Sequence, residues 1–317
     1  MKIIGVNEQM EQQTPCVATV GVFDGVHRGH RFLINEVMNT ACQMGMTSTV
    51  ITFAVHPRQI LCPEWHPQLL STFDEKIALL ERTGVDQLIV LPFDAAMAAL
   101  PAYNFMADIL CKKLGVRVLV TGYDNRFGHR ATDSAEGFDD YVRYGRELGI
   151  VVQPSSPLDI GAVRVSSSQI RRFLQMGDVS QAALCLGRPY KLTGEVVHGE
   201  HIGTGLGFPT ANLLSSYTEK LIPAPGVYAV RVGIGDSQEL LPGMMNIGKR
   251  PTFDGDHFTL ETHIFDFNDN LYGQRISVHF VHRLRSEIKF DSREALAAQL
   301  AADAQLAEKI HHETTNI

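Results

Sequence analysis

Apolar positions along this chain follow two rhythms. Over residues 16–186, short β-branched runs alternate with stretches in which apolar side chains recur every three or four positions. Cys16–Val22 is a short apolar run ending in Phe23-Asp24-Gly25. Thr47–Phe53, Gln87–Leu91 and Val116–Thr121 read as buried-type strands, and Ile150–Val152 as extended chain. Between them, residues 29–44 place Phe32, Leu33, Val37 and Met38 on one side of a helix. Asp74–Arg82, Ala102–Leu114 and Phe138–Leu148 read as further helices. Strands alternating with helices predict βαβ units and a parallel sheet, an α/β fold whose ligand sits beyond the carboxyl ends of the strands. Ser166–Met176 and Val179–Leu186 then predict two short helices divided by Gly177-Asp178.

After Gly187-Arg188-Pro189 the rhythm changes. Lys191–Val197, Val227–Gly233, His257–Phe265 and Arg275–Val281 are β-type runs separated by Gly, Pro, Asn and Asp. Little there has helical periodicity, which predicts a mostly antiparallel barrel. Asp291 followed by Glu294 predicts a helix start, and Leu296, Leu300, Ala304 and Ile310 predict a closing helix. The expected division is therefore residues 1–186 and 187–317, and a chain of 317 residues suits two domains.

Charge narrows the partners. The net charge is −7, with no basic stripe, so nucleic acid is disfavoured. A small anionic ligand stays open, since a few cations and backbone N–H groups suffice for it. Cys16, Cys42, Cys62, Cys111 and Cys185 are scattered and form no C-x-x-C pair. That argues against a disulfide framework and a thiolate zinc site. The N-terminal stretch lacks the apolar region of a signal peptide, and no run approaches the roughly 20 apolar residues of a membrane span. The expectation is a soluble cytoplasmic protein with neither a membrane nor a nucleic-acid partner.

Two constellations carry candidate chemistry. The first is Gly21-Val22-Phe23-Asp24-Gly25-Val26-His27-Arg28-Gly29-His30, between a predicted strand and a predicted helix. His27 and His30 form an H-x-G-H. Imidazoles beside a helix N-terminus can donate hydrogen bonds to phosphate oxygens as negative charge builds on them. Gly29 removes a side chain where a phosphate would approach the backbone. The plainer alternative is two surface histidines in a glycine-rich turn. A second piece, Val165-Ser166-Ser167-Ser168-Gln169-Ile170-Arg171-Arg172, sets three hydroxyls and two guanidinium groups at a helix start. The serines are either ordinary N-caps or part of an anion cradle.

The second constellation is GEHIGTGLGFPTAN, Gly199 to Asn212. Gly199, Gly203, Gly205 and Gly207 make a loop able to wrap a polyphosphate, without the spacing of a P-loop. Thr210 and Asn212 stand two residues apart and share a face of an extended chain. A hydroxyl and an amide oxygen there suit Mg²⁺, which keeps waters and substrate phosphates as its other ligands. Pro-Thr-x-Asn is otherwise a simple turn.

The decapeptide and the SSSQIR segment resemble the paired signatures of the nucleotidyltransferase superfamily, in its FAD-synthetase branch. Thr52–Arg58 and Gly122–Gly128 agree with that branch, with Ala54-Val55 where Glu-Pro is usual and Asn125 where Phe is usual. The Gly207–Asn212 segment resembles the riboflavin kinase signature. Gly226-Val227-Tyr228, Asn246–Thr252, Leu260–His263, Leu271-Tyr272-Gly273 and Arg285…Lys289-Phe290 follow in the family's order. Thr204 stands where that family often has arginine.

The chain thus resembles the bifunctional bacterial riboflavin kinase/FAD synthetase family over residues 15 to about 308. The resemblance implies a Rossmann-like nucleotidyltransferase domain followed by an antiparallel β-barrel kinase domain with a closing helix. It implies ATP-dependent phosphorylation of riboflavin to FMN, then adenylyl transfer from ATP to FMN, giving FAD and pyrophosphate. Glu261 would be the base that takes the ribityl proton. His27 and His30 would donate to phosphates, and Arg171 would neutralise the leaving pyrophosphate. ATP and phosphate contacts would come from Gly21, Phe23, Asp24, Gly29, Ser166, Ser167, Ser168, Gly203, Gly205 and Gly207. Flavin contacts would come from Asp124, Asn125, Arg126, Phe127 and Arg285, with Mg²⁺ on Thr210 and Asn212. A transferase with another acceptor, a flavin-binding regulator with dead sites, and a chain keeping one activity are the competing readings.

Overall fold

Strand and helix alternate through the first half much as the apolar rhythm predicts. The computed structural model describes residues 1–5, 14–62, 64–65, 67–122, 127–128, 136–199, 205, 207–215, 219–252 and 255–315. These form two compact units, Met1–Ser167 and Ser168–Ile317. In the first, β1 (Lys2–Gly5) and β2 (Cys16–Val20) precede α1 (Arg28–Met44), β3 (Thr47–Phe53), α2 (Pro57–Leu61), α3 (Phe73–Glu81) and β4 (Gln87–Leu91). Then come α4 (Ala95–Ala99), α5 (Ala102–Asn104), a π-helix (Phe105–Lys113), β5 (Val116–Thr121), α6 (Phe138–Leu148) and β6 (Val151–Pro154). A small hairpin of β7 (Asp159–Ile160) and β8 (Val163–Arg164) ends the unit.

The six-stranded sheet runs β1-β4-β3-β2-β5-β6, and every pair is parallel. Alternate residues fill opposite layers. Ala18, Val20, Ile51 and Phe53 face the π-helix layer, while Val17, Val50 and Leu88 face Ile34 and Val37 of α1. Burial on both faces is why these strands read as continuous apolar runs.

The helix expected over Ala102–Leu114 differs from the prediction. Three α-helical residues pass into π-helix, and Leu114 N–H donates to Ile109 O, five residues back. The wider turn lets Phe105 and Leu110 share a buried face together with Met106 and Ala107. A 3.6-residue apolar pattern does not distinguish this from an ordinary helix.

The second unit opens with α7 (Ser167–Gln175), across whose start the contact division falls, and α8 (Val179–Leu186). β9 (Lys191–Val197), β10 (Ala211–Ser215), β11 (Gly226–Ile234), β12 (Leu241–Thr252), β13 (Gly255–Ile264) and β14 (Arg275–Arg285) follow, then α9 (Arg293–Thr315). They close an antiparallel barrel in the order β10-β13-β12-β11-β14-β9. α9 packs on it through Leu300, Ala304, Ala307 and Ile310, against Ala229, Met244 and Phe265. Ser292, rather than Asp291, caps α9: its hydroxyl accepts from Ala295 N–H at 3.1 Å.

β12 escapes sequence reading because Pro242, Gly243, Gly248 and Pro251 look like turn residues. The barrel needs two of them. A Cβ at Gly243 would lie 2.4 Å from His263 O, and one at Gly248 would lie 2.5 Å from Thr259 Oγ1.

Candidate functional site

The first centre is the turn between β2 and α1. Phe23, Gly25 and Val26 all have positive φ, at 54°, 79° and 37°. For a β-branched residue such as Val26 that conformation costs about 1–3 kcal/mol and persists only when surroundings enforce it. Here they do. The Asp24 carboxylate accepts from Leu70 N–H and Ser71 N–H at 3.0 and 3.1 Å. Ser71 Oγ in turn accepts from Gly25 N–H at 2.9 Å, and Ser167 Oγ donates to Asp24 O at 3.0 Å. Asp24 and Ser167 thus sit in the scaffold of the turn, with the Asp24 side chain turned to residues 70–71.

His27 is the N-cap of α1, its Nδ1 accepting from His30 N–H at 3.2 Å. The two rings stack with centroids 3.5 Å apart, and the edge of Phe23 meets His30 at 5.1 Å. A Cβ at Gly29 would touch the His27 ring at 3.2 Å, so this glycine makes room for the imidazole. Gly21 likewise leaves room for the Phe23 ring, 3.1 Å from where its Cβ would stand. Part of His30 remains exposed, yet its ring lies between aromatic neighbours. Desolvation, and secondarily the adjacent His27, hold its pKa well below 6.5. It is therefore a neutral donor at neutral pH. His30 Nδ1 is buried and makes no hydrogen bond among the described residues.

Beside this turn, at the carboxyl ends of β2 and β3, a cavity of about 490 Å³ is lined by Gly21, Val22, Phe53, Phe93, Phe105 and Phe127. Phe127 stacks on Tyr141, with centroids 4.2 Å apart, and the Tyr141 hydroxyl bonds both its backbone N–H and C=O. Asp124, Asn125 and Arg126 lie outside the described residues. Ser166 precedes α7 and is half-buried. Ser168 is exposed and Arg171 half-buried on α7, both within the second unit.

The second centre is in the barrel. Glu261 is directly opposite Asn212 in the β10–β13 pair. Glu261 and His263 line a cavity of about 250 Å³ with Val227, Met244, Arg285 and Leu300. Thr262 and Ile264, on the other face of β13, line a second cavity of about 130 Å³ with Leu271 and Tyr272. Thr210 lines both. His263 Nδ1 bonds Pro209 O at 2.7 Å and so holds the Pro209-Thr210 segment against β13. Gly205 and Gly207 are exposed, and Gly207 has φ 85°. Gly203 and Thr204 lie outside the described residues.

Thr210 and Asn212 offer oxygen ligands with one carboxylate, Glu261, paired to Asn212, and no cluster of three His, Cys, Asp or Glu able to hold a metal occurs among the described residues. A Cβ at Gly199 would fall 2.0 Å from the Asn212 amide, so the glycine loop leaves a recess for that side chain. The donor set fits a hard cation that draws its remaining ligands from phosphate and water.

Sequence reasoning misses three supports. Arg285 Nε and Nη2 grip both oxygens of Asp303 on α9, at 3.0 and 2.7 Å, and Gln299 adds a bond to Asp303 at 2.9 Å. Tyr141 holds Phe127. Lys76 lies buried on α3, a charged residue at the position of an apolar one. Helical spacing from Leu80 marks the last of these as an oddity; the other two leave no local signal.

Known proteins match both units. The FAD synthetase family model matches residues 9–169, and the riboflavin kinase model matches residues 186–311. A riboflavin kinase model and an FAD synthetase model matched in one chain, over a barrel and a parallel sheet, define a two-centre, ATP-using transferase. The chain belongs to the bifunctional riboflavin kinase/FMN adenylyltransferase family, enzymes of flavin cofactor biosynthesis. It is 37% identical over 308 residues to the bifunctional enzyme of Escherichia coli strain K12, covering 96% of each chain. It is 35% identical to that of Bacillus subtilis strain 168, covering 94% of this chain and 93% of that one. A solved structure described as a macrolide-efflux protein from Streptococcus pneumoniae superposes with TM-score 0.86 at 31% identity, over 97% of this chain and 99% of that chain. That description differs from the family's, and the two family models carry the assignment. No helix among the described residues is long and apolar enough to cross a membrane.

Proposed function

We propose that the barrel phosphorylates riboflavin to FMN, that the histidine turn transfers an adenylyl group from ATP to FMN, and that these activities divide as residues 187–317 and 1–186. The observation that carries the reading is Thr210 lining two cavities, with Glu261 in the larger of them. The larger takes the flavin, among Val227, Met244 and Leu300; the smaller takes ATP. The ribityl hydroxyl and the γ-phosphate then meet at Thr210. Glu261 accepts the hydroxyl proton as the oxygen attacks phosphorus, and ADP leaves. Thr210 and Asn212 would hold Mg²⁺, which when bound offsets the charge of the phosphates. Arg285, fixed by Asp303, borders the flavin side.

In the first unit an FMN phosphate oxygen attacks the α-phosphorus of ATP and pyrophosphate leaves. Both reactants are anions, so stabilising developing charge outweighs proton transfer. His27 and His30 act as donors to the phosphates, and the low pKa of His30 keeps it neutral in that role. The Phe53, Phe93 and Phe127 cavity takes the flavin ring. For Arg171 the assignment rests on the motif, as the cation for pyrophosphate.

The test is one incubation of the full chain with riboflavin, ATP and Mg²⁺, followed by chromatography. FMN should appear first and FAD after it. FAD without detectable FMN-forming activity, or FMN that never proceeds to FAD from excess ATP, contradicts the two-centre reading.

A further inference from the structure

Lys76 is an ammonium in a place that disfavours one. Its residue is 7% exposed, on α3, where helical spacing from the fully buried Leu80 would suit an aliphatic side chain. Burying an unpaired charge is expensive, so its contacts must compensate. They are specific. Nζ donates to Phe53 O at 3.0 Å, to Thr52 Oγ1 at 3.3 Å and to Val22 O at 3.4 Å. Thr52 Oγ1 also donates to Val22 O at 3.2 Å. The Phe73 ring lies under the ammonium, 5.1 Å from Nζ.

These acceptors are not arbitrary. Val22 and Phe53 follow or end β2 and β3, where ligands of parallel sheets bind, and both line the 490 Å³ cavity. Val22 is also the residue before Phe23, where the left-handed turn begins and whose ring meets His30. The segment that supplies Lys76 braces the far side of the same turn, through Leu70 and Ser71 on Asp24. Residues 70–76 therefore clamp both ends of the turn that presents the histidines.

We propose that Lys76 is a positioning residue of the adenylyl-transfer centre: its ammonium ties the Val22 and Phe53 carbonyls together and so sets the register of the histidine turn against the flavin cavity. This rests on the reading that the histidine turn and this cavity carry adenylyl transfer. Lys76 acts through Val22 and Phe53, the two cavity-lining residues whose carbonyls it bonds.

Titration supplies the handle. Burial lowers the Lys76 pKa from 10.5 to about 8, and nearby Asp24 opposes the shift. The groups facing it are Asp24, the Thr52 hydroxyl and the Phe73 ring. The positioned state needs the ammonium, so adenylyl transfer should be full below about 8 and decline as pH rises through it. Stability should move the other way. The folded chain gives up this proton more readily than the unfolded one, so folding gains between about 8 and 10.5. A purely structural lysine would make activity follow stability.

The experiment compares wild type, Lys76→Met, Lys76→Arg and His30→Ala as full chains. FAD formation from FMN and ATP, FMN formation from riboflavin, and urea unfolding are each followed from pH 6.5 to 10. Lys76→Met should lose about ten- to a hundredfold in adenylyl transfer at pH 7, as expected for a small misplacement of reacting groups. Its kinase activity should stay within about twofold, since Lys76 and the residues lining the kinase cavities belong to different compact units. Lys76→Arg should keep most of the transfer and move its alkaline decline above pH 9, which also settles the question if the Met variant folds poorly. Transfer by Lys76→Met within twofold of wild type, while His30→Ala lowers it by about 10²-fold, would overturn the proposal. An alkaline decline left at about pH 8 in Lys76→Arg would do the same. Unimpaired transfer by His30→Ala would instead show that the reading of the centre is at fault.

Discussion

The imidazoles of His27 and His30 lie face to face, with ring planes 16° apart, and His27 Nδ1 accepts the backbone N–H of His30. One histidine thus caps the helix that the other rides, and the two rings pack directly on each other. Replacing His30 by Ala should lower the FAD-forming kcat by about 10²-fold, the loss typical of one oxyanion donor. His30→Asn retains a donor and should recover part of it. FMN affinity should change far less in both. Full kcat in the Ala variant, or a loss confined to FMN binding, would show that the ring does not serve the transition state.

Glu261 tests the other centre. Glu261→Gln keeps shape and hydrogen bonding but cannot take a proton. FMN formation should fall by about 10²-fold or more. FAD formation from supplied FMN should persist in the same preparation. A kinase rate within a few-fold of wild type would remove Glu261 from the mechanism.

Asp303 is 3% exposed and bonded to Arg285 through both carboxylate oxygens. Asp303→Asn breaks the charge pair and should destabilise the barrel by about 3 kcal/mol in urea titrations. It should also raise the riboflavin KM by roughly tenfold, the equivalent of about 1.4 kcal/mol. A lowered midpoint with unchanged KM would mean that the Arg285 orientation is irrelevant to the flavin.

Tyr141→Phe preserves the ring stack on Phe127 and deletes the hydroxyl that bonds its backbone. The loss of about 1 kcal/mol should appear as a KM for FMN raised about fivefold in adenylyl transfer. The kinase KM for riboflavin should not move. A parallel fall in the maximal rates of both reactions with both KM values unchanged would point instead to a general loss of folded protein.

Acid should weaken the fold through two histidines. His30 and His311 both have pKa values lowered below 6.5, chiefly by burial. The unfolded chain therefore binds these protons more readily. Their contribution to stability is complete above about 6.5 and is lost as pH falls. Urea midpoints should drop between neutral pH and about pH 5, and His30→Asn should flatten part of that slope. A midpoint independent of pH there would mean that neither ring is desolvated.

Much of the architecture was legible locally. Thr47–Phe53, Gln87–Leu91 and Val116–Thr121 are strands with the bounds their apolar runs predict, and Phe138–Leu148 is a helix as its spacing predicts. The π-helix and β12 were not legible, because a 3.6-residue pattern does not distinguish the widened turn and the glycines at 243 and 248 answer to the paired strand β13. The histidine turn and the Gly207–Asn212 segment were recognisable as motifs, since each is a continuous stretch between two elements.

By itself, the sequence determined the alternation of elements, the change from parallel to antiparallel texture near residue 187, and the residue types offered for chemistry. Those follow from periodicity and from contiguous motifs, which are properties of neighbours along the chain. Tertiary structure alone decided that Val26 is held in a left-handed conformation, that Lys76 reaches Val22 and Phe53, that Asp303 grips Arg285, and that Thr210 borders two cavities. Each of these joins groups brought together by chain closure, and the energy that selects them appears only once the intervening chain has packed.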